Sequence, residues 1–247
     1  MDFTYASLKR LIDSLHDGGY DICGYHNWED RDKCAILRHD VDYDPSKSLE
    51  LATKEASWGV TSTYFFLLTS PLYNAQSQKC IEIMQAITSF NHEIGLHFDE
   101  ACYPQYSEDP HALIGEITRE AGILSEAIGN DVRVVSMHRP SQNTLHANLK
   151  VPGIINSYGD EFFKGFKYLS DSRRRWREPV EEIVANAEFK RLHILTHAFW
   201  YSEYEKSIED AVASYVNRAC MERYKNFSAN ITDMDKIMRE NEVLGWQ

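Results

Sequence analysis

The stretch Cys34-Ala-Ile-Leu-Arg-His-Asp-Val-Asp-Tyr-Asp44 constrains the fold more than any other part of the chain. Residues 34–37 are apolar enough to form a buried strand, and the run then turns acidic, with Asp40, Asp42 and Asp44 alternating up to Pro45. Side chains two apart on a strand share a face, so Asp40 and Asp42 would stand side by side, about 7 Å apart along the backbone. Two bare carboxylates that close repel one another. A bound cation relieves that repulsion, and so does chemistry that employs one of them as a base. Acids at the carboxyl end of a buried strand are the usual seat of chemistry in α/β folds. A solvated acidic loop is the plainer reading of such a run. It is the reading adopted for Asp44, which is placed to cap a helix that begins at Pro45.

The rest of the chain alternates between helical and extended patterns. Residues 3–16 carry Leu8, Leu11, Ile12 and Leu15 on one helical face, stopped by Gly18-Gly19, and residues 20–32 form a polar loop. Helices are expected over 45–58, 77–90, 110–128 and 179–187, and strands over 60–68, 91–100, 132–137, 154–157 and 191–196. Residues 162–170 read as irregular and aromatic, and 207–240 as helix-rich. Such alternation predicts parallel strands joined by right-handed crossovers. Nothing resembles a linker, so 1–247 is expected to be a single domain, with 1–32 an N-terminal helix and loop and 207–247 a C-terminal helical closure.

The formal charge of -12 argues against nucleic acid as a partner. Five cysteines without a C-x-x-C pair give no disulfide framework and suit a reducing compartment. With no leader-like segment and no run that could span a bilayer, a cytoplasmic protein acting on a small-molecule or oligosaccharide substrate is expected. Fourteen tyrosines and five tryptophans could line a sugar groove or simply fill a core.

Several expected strands end in a group that can bind metal or move a proton: Asp40 and Asp42, then His97, then His138 with Arg139, then His197. A lone histidine at a strand end is more often a hydrogen-bonded structural residue. In a parallel barrel, however, all the strand carboxyl ends lie on one face, where these groups would meet.

The motifs resemble those of the polysaccharide deacetylases of NodB-homology type, carbohydrate esterase family 4, over residues 35–201. The resemblance implies an α/β fold, a distorted (β/α) barrel with mostly parallel strands, and a divalent metal, zinc first. It implies a hydrolase of carbohydrate metabolism that removes acetyl groups from sugars. His39-Asp-Val-Asp42 is similar to the family's paired aspartates, with one extra residue between them, which gives Asp40 the role of base and Asp42 that of metal ligand. Asn91-His-Glu-Ile-Gly-Leu-His97 is similar to the second motif and makes His97 a ligand, while His92 falls at a structural position. Where the family has a second metal histidine four residues on, this chain has Ala101. One aspartate and one histidine make too weak a zinc site. His138 is therefore the candidate third ligand, against stacking beside Arg139.

Arg139-Pro140 resembles the third motif, and Arg139 is expected to hold Asp40 ionised. Ser170-Asp-Ser-Arg-Arg-Arg-Trp176 loosely resembles the fourth. Asp171 would orient a histidine or bind sugar hydroxyls, and Trp176 would stack on a sugar. The basic run 173–177 would otherwise be an exposed turn or an anion site. Leu195-Thr-His197 matches the fifth, which makes His197 the general acid, and Trp200 is placed to line the same pocket. The wording R-H-D-V-D, S-T-Y-F-F, H-E-I-G-L-H and S-D-S-x-x-x-W resembles a divergent branch associated with surface-polysaccharide biosynthesis more than the cell-wall enzymes. Two rival readings remain: a metal-dependent amidase acting on a small non-sugar amide, and a non-catalytic binding protein that keeps the groove.

Overall fold

The computed structural model describes residues 1–243; the last four residues of the expected C-terminal closure lie outside the described residues. The chain divides into two compact units, one ending at Glu203 and the other beginning at Tyr204. The first carries eight strands: β1 (Asp21–Cys23), β2 (Cys34–Val41), β3 (Thr63–Leu67), β4 (Glu93–Phe98), β5 (Val134–Met137), β6 (Ile155–Asn156), β7 (Lys167–Ser170) and β8 (Arg191–Thr196). Between them run α1 (Tyr5–Asp17), α2 (Pro45–Ser57), α3 (Gln78–Ser89), α4 (Leu113–Ile128), α5 (Gln142–Ala147), α6 (Asp160–Gly165) and α7 (Val180–Asn186). The second unit holds α8 (Ile208–Asn230) and α9 (Met234–Ile237), tied together by the Tyr224 hydroxyl donating to the Met238 carbonyl at 3.1 Å. No helix among the described residues is long and apolar enough to cross a membrane.

The helices start where side chains can satisfy their first amide groups. Thr4, Asp44 and Ser77 accept from the backbone N–H of Ser7, Ser46 and Cys80 and so cap α1, α2 and α3. Pro45 occupies the first turn of α2, where a missing N–H costs nothing. Helix α4 stops at Gly129, whose φ of 73° is a left-handed conformation that suits glycine.

The strands form one parallel sheet in the order β6-β5-β4-β3-β2-β8-β7, with β1 on β2. A flat sheet would put β6 about 19 Å from β2, four strand spacings away. Yet Arg38 on β2 donates to Ser157, just after β6, at 2.9 Å. The sheet is therefore curled into a half-barrel, a distorted α/β barrel. Among the described residues no ladder joins β6 to β7. Instead the seam is bridged by rings, with Tyr158 stacked on Phe163 and Phe163 against Tyr168.

Alternation along the strands sorts side chains into two environments. Outward residues such as Leu37, Tyr64, Leu96 and Ile194 are buried beneath the helices. The floor of the barrel is filled by Cys34, Ile36, Phe65, Val134 and Phe162 with Tyr25 and Trp28. Gly95 on β4 faces this interior, where a Cβ would lie 2.5 Å from the Phe65 ring. Behind the sheet, fully buried Glu55 of α2 accepts from the hydroxyls of Ser62 and Tyr64 and bonds His39 Nε2 at 2.9 Å. His92 belongs to the same buried layer: it accepts from the Ser62 N–H at 3.1 Å and bonds the Ala52 carbonyl at 3.0 Å.

Two local expectations are corrected. Residues 162–170 are not irregular: they hold most of α6 and all of β7, in which Tyr168 and Ser170 alternate with Leu169 on a pleat too short for its period to stand out. Residues 20–32 are not all loop, because β1 adds to the edge of β2.

Candidate active site

The strand carboxyl ends converge on a cavity of about 820 Å³ lined by Asp40, Asp42, His97, His138 and His197. Parallel pairing produces this convergence. Asp40 pairs with Phe65 on β3, Leu67 with His97 on β4, and His97 with Ser136 on β5, so the same end of each strand reaches the same rim. His138 follows β5 directly, and its N–H donates to the Phe98 carbonyl at 2.7 Å. The loop beyond it is fixed by Glu100, whose carboxylate accepts from the Ser141 N–H at 2.7 Å. Ala101 lies exposed in a short 3-10 turn and has no donor to offer.

Asp42 Oδ1 lies 3.2 Å from His97 Nε2 and 3.4 Å from His138 Nδ1, and the two imidazole nitrogens are 3.1 Å apart. Two ligand atoms around a tetrahedral zinc with bonds of 2.0–2.1 Å are about 3.3 Å apart. Three atoms at these spacings therefore fit the face of such a polyhedron, with the fourth position left for solvent or substrate. The tautomer of His97 fits as well. Its Nδ1 is 2.6 Å from the Ser136 hydroxyl, which in turn donates toward Asp40 Oδ1 at 3.5 Å. A ring that donates through Nδ1 has its Nε2 lone pair free to bind a cation. Burial pushes the Asp42 carboxyl up, but His138, His97 and His197 outweigh it and hold the group well below the usual carboxylate range.

Asp40 sits beside this trio, its Oδ2 3.7 Å from His97 Nε2. Its counter-ion is Arg38, two residues earlier on the same face of β2, which donates from Nη2 at 2.8 Å. Arg38 is fully buried, bonded also to Ser157 and held against the rings of Phe65 and Tyr158. The assignment of that task to Arg139 is therefore corrected. Arg139 is exposed, with φ of 50°, and lines the cavity mouth. Arg38 escapes a reading of the sequence because it falls between the apolar run of 34–37 and the acids that follow. The signal that could have found it is strand alternation, which puts residue 38 on the face of residue 40.

Across the cavity, His197 Nδ1 is 2.6 Å from Asp171 Oδ1, and the His197 N–H donates to Asp171 Oδ2 at 3.1 Å. Asp171 is completely buried, so it orients His197 and is out of reach of a sugar hydroxyl; its assignment as a substrate-binding residue is corrected. Burial disfavours the His197 imidazolium, but Asp171, then Asp42 and Asp40, prevail and raise it to about 9. His197 Nε2 points into the cavity, 3.7 Å from Asp42 Oδ2. Trp176 and Trp200 both line the cavity, Trp200 packed edge-on against Tyr43 and Phe199.

Among solved structures, a CE4 esterase from Streptococcus mutans superposes over 79% of this chain and 83% of its own, at 17% identity and a TM-score of 0.50. The fold is that of a family 4 carbohydrate esterase. Another family 4 carbohydrate esterase, from Bacillus anthracis, matches over 93% of this chain and 92% of its own at 18% identity, with a TM-score of 0.43. A CE4 family pseudoenzyme from the same organism matches over 78% of this chain and 62% of its own at 13% identity and 0.42. No family model matches the chain, and no curated protein does.

Proposed function

We propose that this chain is a metal-dependent hydrolase that removes an acetyl group from an N-acylated sugar or a glycan-biosynthesis intermediate. The observation that carries the reading is the set of Asp42, His97 and His138 atoms 3.1–3.4 Å apart, with a carboxylate on one side and a carboxylate-backed imidazole on the other. A divalent metal held by those three residues would polarise the acyl carbonyl and make water acidic enough to deprotonate near neutral pH. Asp40 is the base that takes the proton from the attacking water. Arg38 and Ser136 hold its carboxylate in one orientation, so the proton is accepted at a fixed place. His197 is the acid: its Nε2 proton passes to the amine nitrogen as the C–N bond breaks, while its Nδ1–H keeps donating to Asp171 Oδ1. Trp176 and Trp200 offer apolar faces for a sugar ring.

The test is acetate release from a panel of N-acetylated sugars by zinc-loaded protein, with Asp40→Asn alongside. The variant should retain its metal by elemental analysis and lose about 10²- to 10⁴-fold in turnover, the usual worth of a positioned base. Full activity in Asp40→Asn would refute the base. Activity on ureide-type amides but no sugar would favour the small-amide reading, and metal binding without any hydrolysis would favour a binding protein.

A further inference from the structure

The mouth of the cavity carries three guanidinium groups that the proposed reaction does not use. Arg139 follows β5, and Arg173 and Arg177 follow β7; all three line the cavity and are exposed. Among the described residues none of the three makes a side-chain hydrogen bond or ion pair with the protein. Arg175 and Arg223 are likewise exposed and unpaired among the described residues, so what sets these three apart is that they share the mouth of one cavity. Elsewhere on the surface Arg31, Arg119 and Arg133 sit on Asp21, Glu116 and Asp131. The acids that share the cavity are already engaged. Asp40 is held by Arg38, Asp42 faces the histidines, and Glu178 is bonded by Lys167 at 2.5 Å. Arg139 and Arg173 also have φ of 50° and 61°, a left-handed conformation that residues with a side chain seldom adopt.

We infer that the substrate is an acylated sugar bearing a phosphate or diphosphate group, which docks on Arg139, Arg173 and Arg177 while the acyl group reaches Asp40 and His197. This rests on the deacetylase reading above. A carboxylate offers two oxygens in one plane and is satisfied by a single guanidinium fork. Three forks arriving from two loops suit an anion with more oxygens, more charge and no single plane. The arrangement also resolves a long-range problem. A chain of net charge -12 repels anions, and a local excess of guanidinium groups at this mouth draws them toward it.

The experiment is calorimetric titration of the metal-loaded protein with glucose 1-phosphate, glucose and glucuronate, none of which carries an acyl group to be turned over. Glucose 1-phosphate should bind about 10- to 100-fold more tightly than glucose, the range expected of several partly exposed charge-assisted contacts. The triple variant Arg139→Gln/Arg173→Gln/Arg177→Gln should bring the two within about twofold, with its circular dichroism unchanged because all three side chains are exposed. Replacement of all three by lysine should restore part of the preference through charge without the fork. Equal binding of glucose and glucose 1-phosphate overturns the inference. So does a phosphate preference that survives the triple glutamine variant, since it would then belong to the metal. Glucuronate binding as tightly as glucose 1-phosphate overturns the choice of phosphate. Acetate release from neutral sugars without a phosphate preference would sink this inference alone, whereas phosphate binding without acetate release would sink the proposed function, and with it the acylated substrate, while leaving the anion site itself in place.

Discussion

Replacing Arg38 by methionine is the sharpest probe of how the site is built. The guanidinium is completely buried, and its Nη2 lies 2.8 Å from Asp40 Oδ2. Two unit charges about 4 Å apart at an effective dielectric near 20 attract by about 4 kcal/mol. Removing one partner of such a pair costs about 3–5 kcal/mol, because the carboxylate left behind is buried without a counter-ion. Two further bonds are lost, to Ser157 at 2.9 Å and toward Tyr158 at 3.4 Å, which loosens the link between β2 and the β6 edge. Urea denaturation followed by tryptophan fluorescence should therefore show Arg38→Met less stable by about 3–5 kcal/mol. Arg139→Met, at an exposed position, should stay within about 0.5 kcal/mol of the parent. Adding Asp40→Asn to Arg38→Met should recover part of the loss, since no charge is then stranded, and the double-mutant cycle should give a coupling of about 2 kcal/mol or more. A loss below about 1 kcal/mol for Arg38→Met, or a larger loss for Arg139→Met, would refute the assignment of Arg38 as the counter-ion of Asp40.

Other perturbations test separate parts of the arrangement. His138→Ala removes one of three candidate ligands, and zinc content measured by elemental analysis after dialysis should fall sharply; an unchanged content would take His138 out of the site. Asp171→Asn removes the largest of the carboxylate influences that hold the His197 imidazolium up at about 9, leaving only Asp42 and Asp40 to oppose burial. The acid form, needed to protonate the amine, is present below its pKa. The alkaline limb of the rate profile should therefore move down from about 9 toward the ordinary histidine value of about 6.5. A limb that stays in place would mean that it reports another group. Gly95→Ala puts a methyl 2.5 Å from the Phe65 ring and should cost about 1–3 kcal/mol in urea denaturation, relieved when Phe65→Leu is added. Full stability in the single variant would show that the interior yields there.

What the sequence reveals of this site is set by the period of the strands. Asp40, Asp42, His97, His138 and His197 are legible as a group because each stands where an apolar run ends, and parallel strands bring their ends to one rim. Arg38 is illegible for the opposite reason. A buried arginine makes sense only through Ser157 and Tyr158, which lie 119 and 120 residues away and approach only because the sheet curls. The pairing of Asp171 with His197 spans 26 residues and rests on β7, whose residues 167–170 give too few alternations to be told from the aromatic segment before them. The aromatic seam of Tyr158, Phe163 and Tyr168 is likewise a property of the curl, not of any local pattern.

The same geometry explains how the site tolerates Ala101. On the proposed reading, a metal here needs a second imidazole near His97, and the family pattern draws it from the turn four residues further along the chain. A parallel barrel offers another source, because neighbouring strand ends are equivalent positions on one rim. Strand β5 pairs with β4 in a register that puts Ser136 opposite His97, so the second residue beyond Ser136 stands one step above the metal candidate. That residue is His138, anchored by its own N–H on the Phe98 carbonyl and by Glu100 on the loop that follows. Once an imidazole arrives from the side, the turn after β4 is free of any ligand duty. It closes as a 3-10 turn in which the Asp99 carboxylate accepts from the Ala101 N–H at 3.1 Å. If this is the physical exchange, histidine placed at 101 should not restore metal to His138→Ala, because position 101 now points to solvent. Recovery of zinc in that double variant would show that the turn still reaches the rim, and that the two positions are interchangeable rather than exclusive.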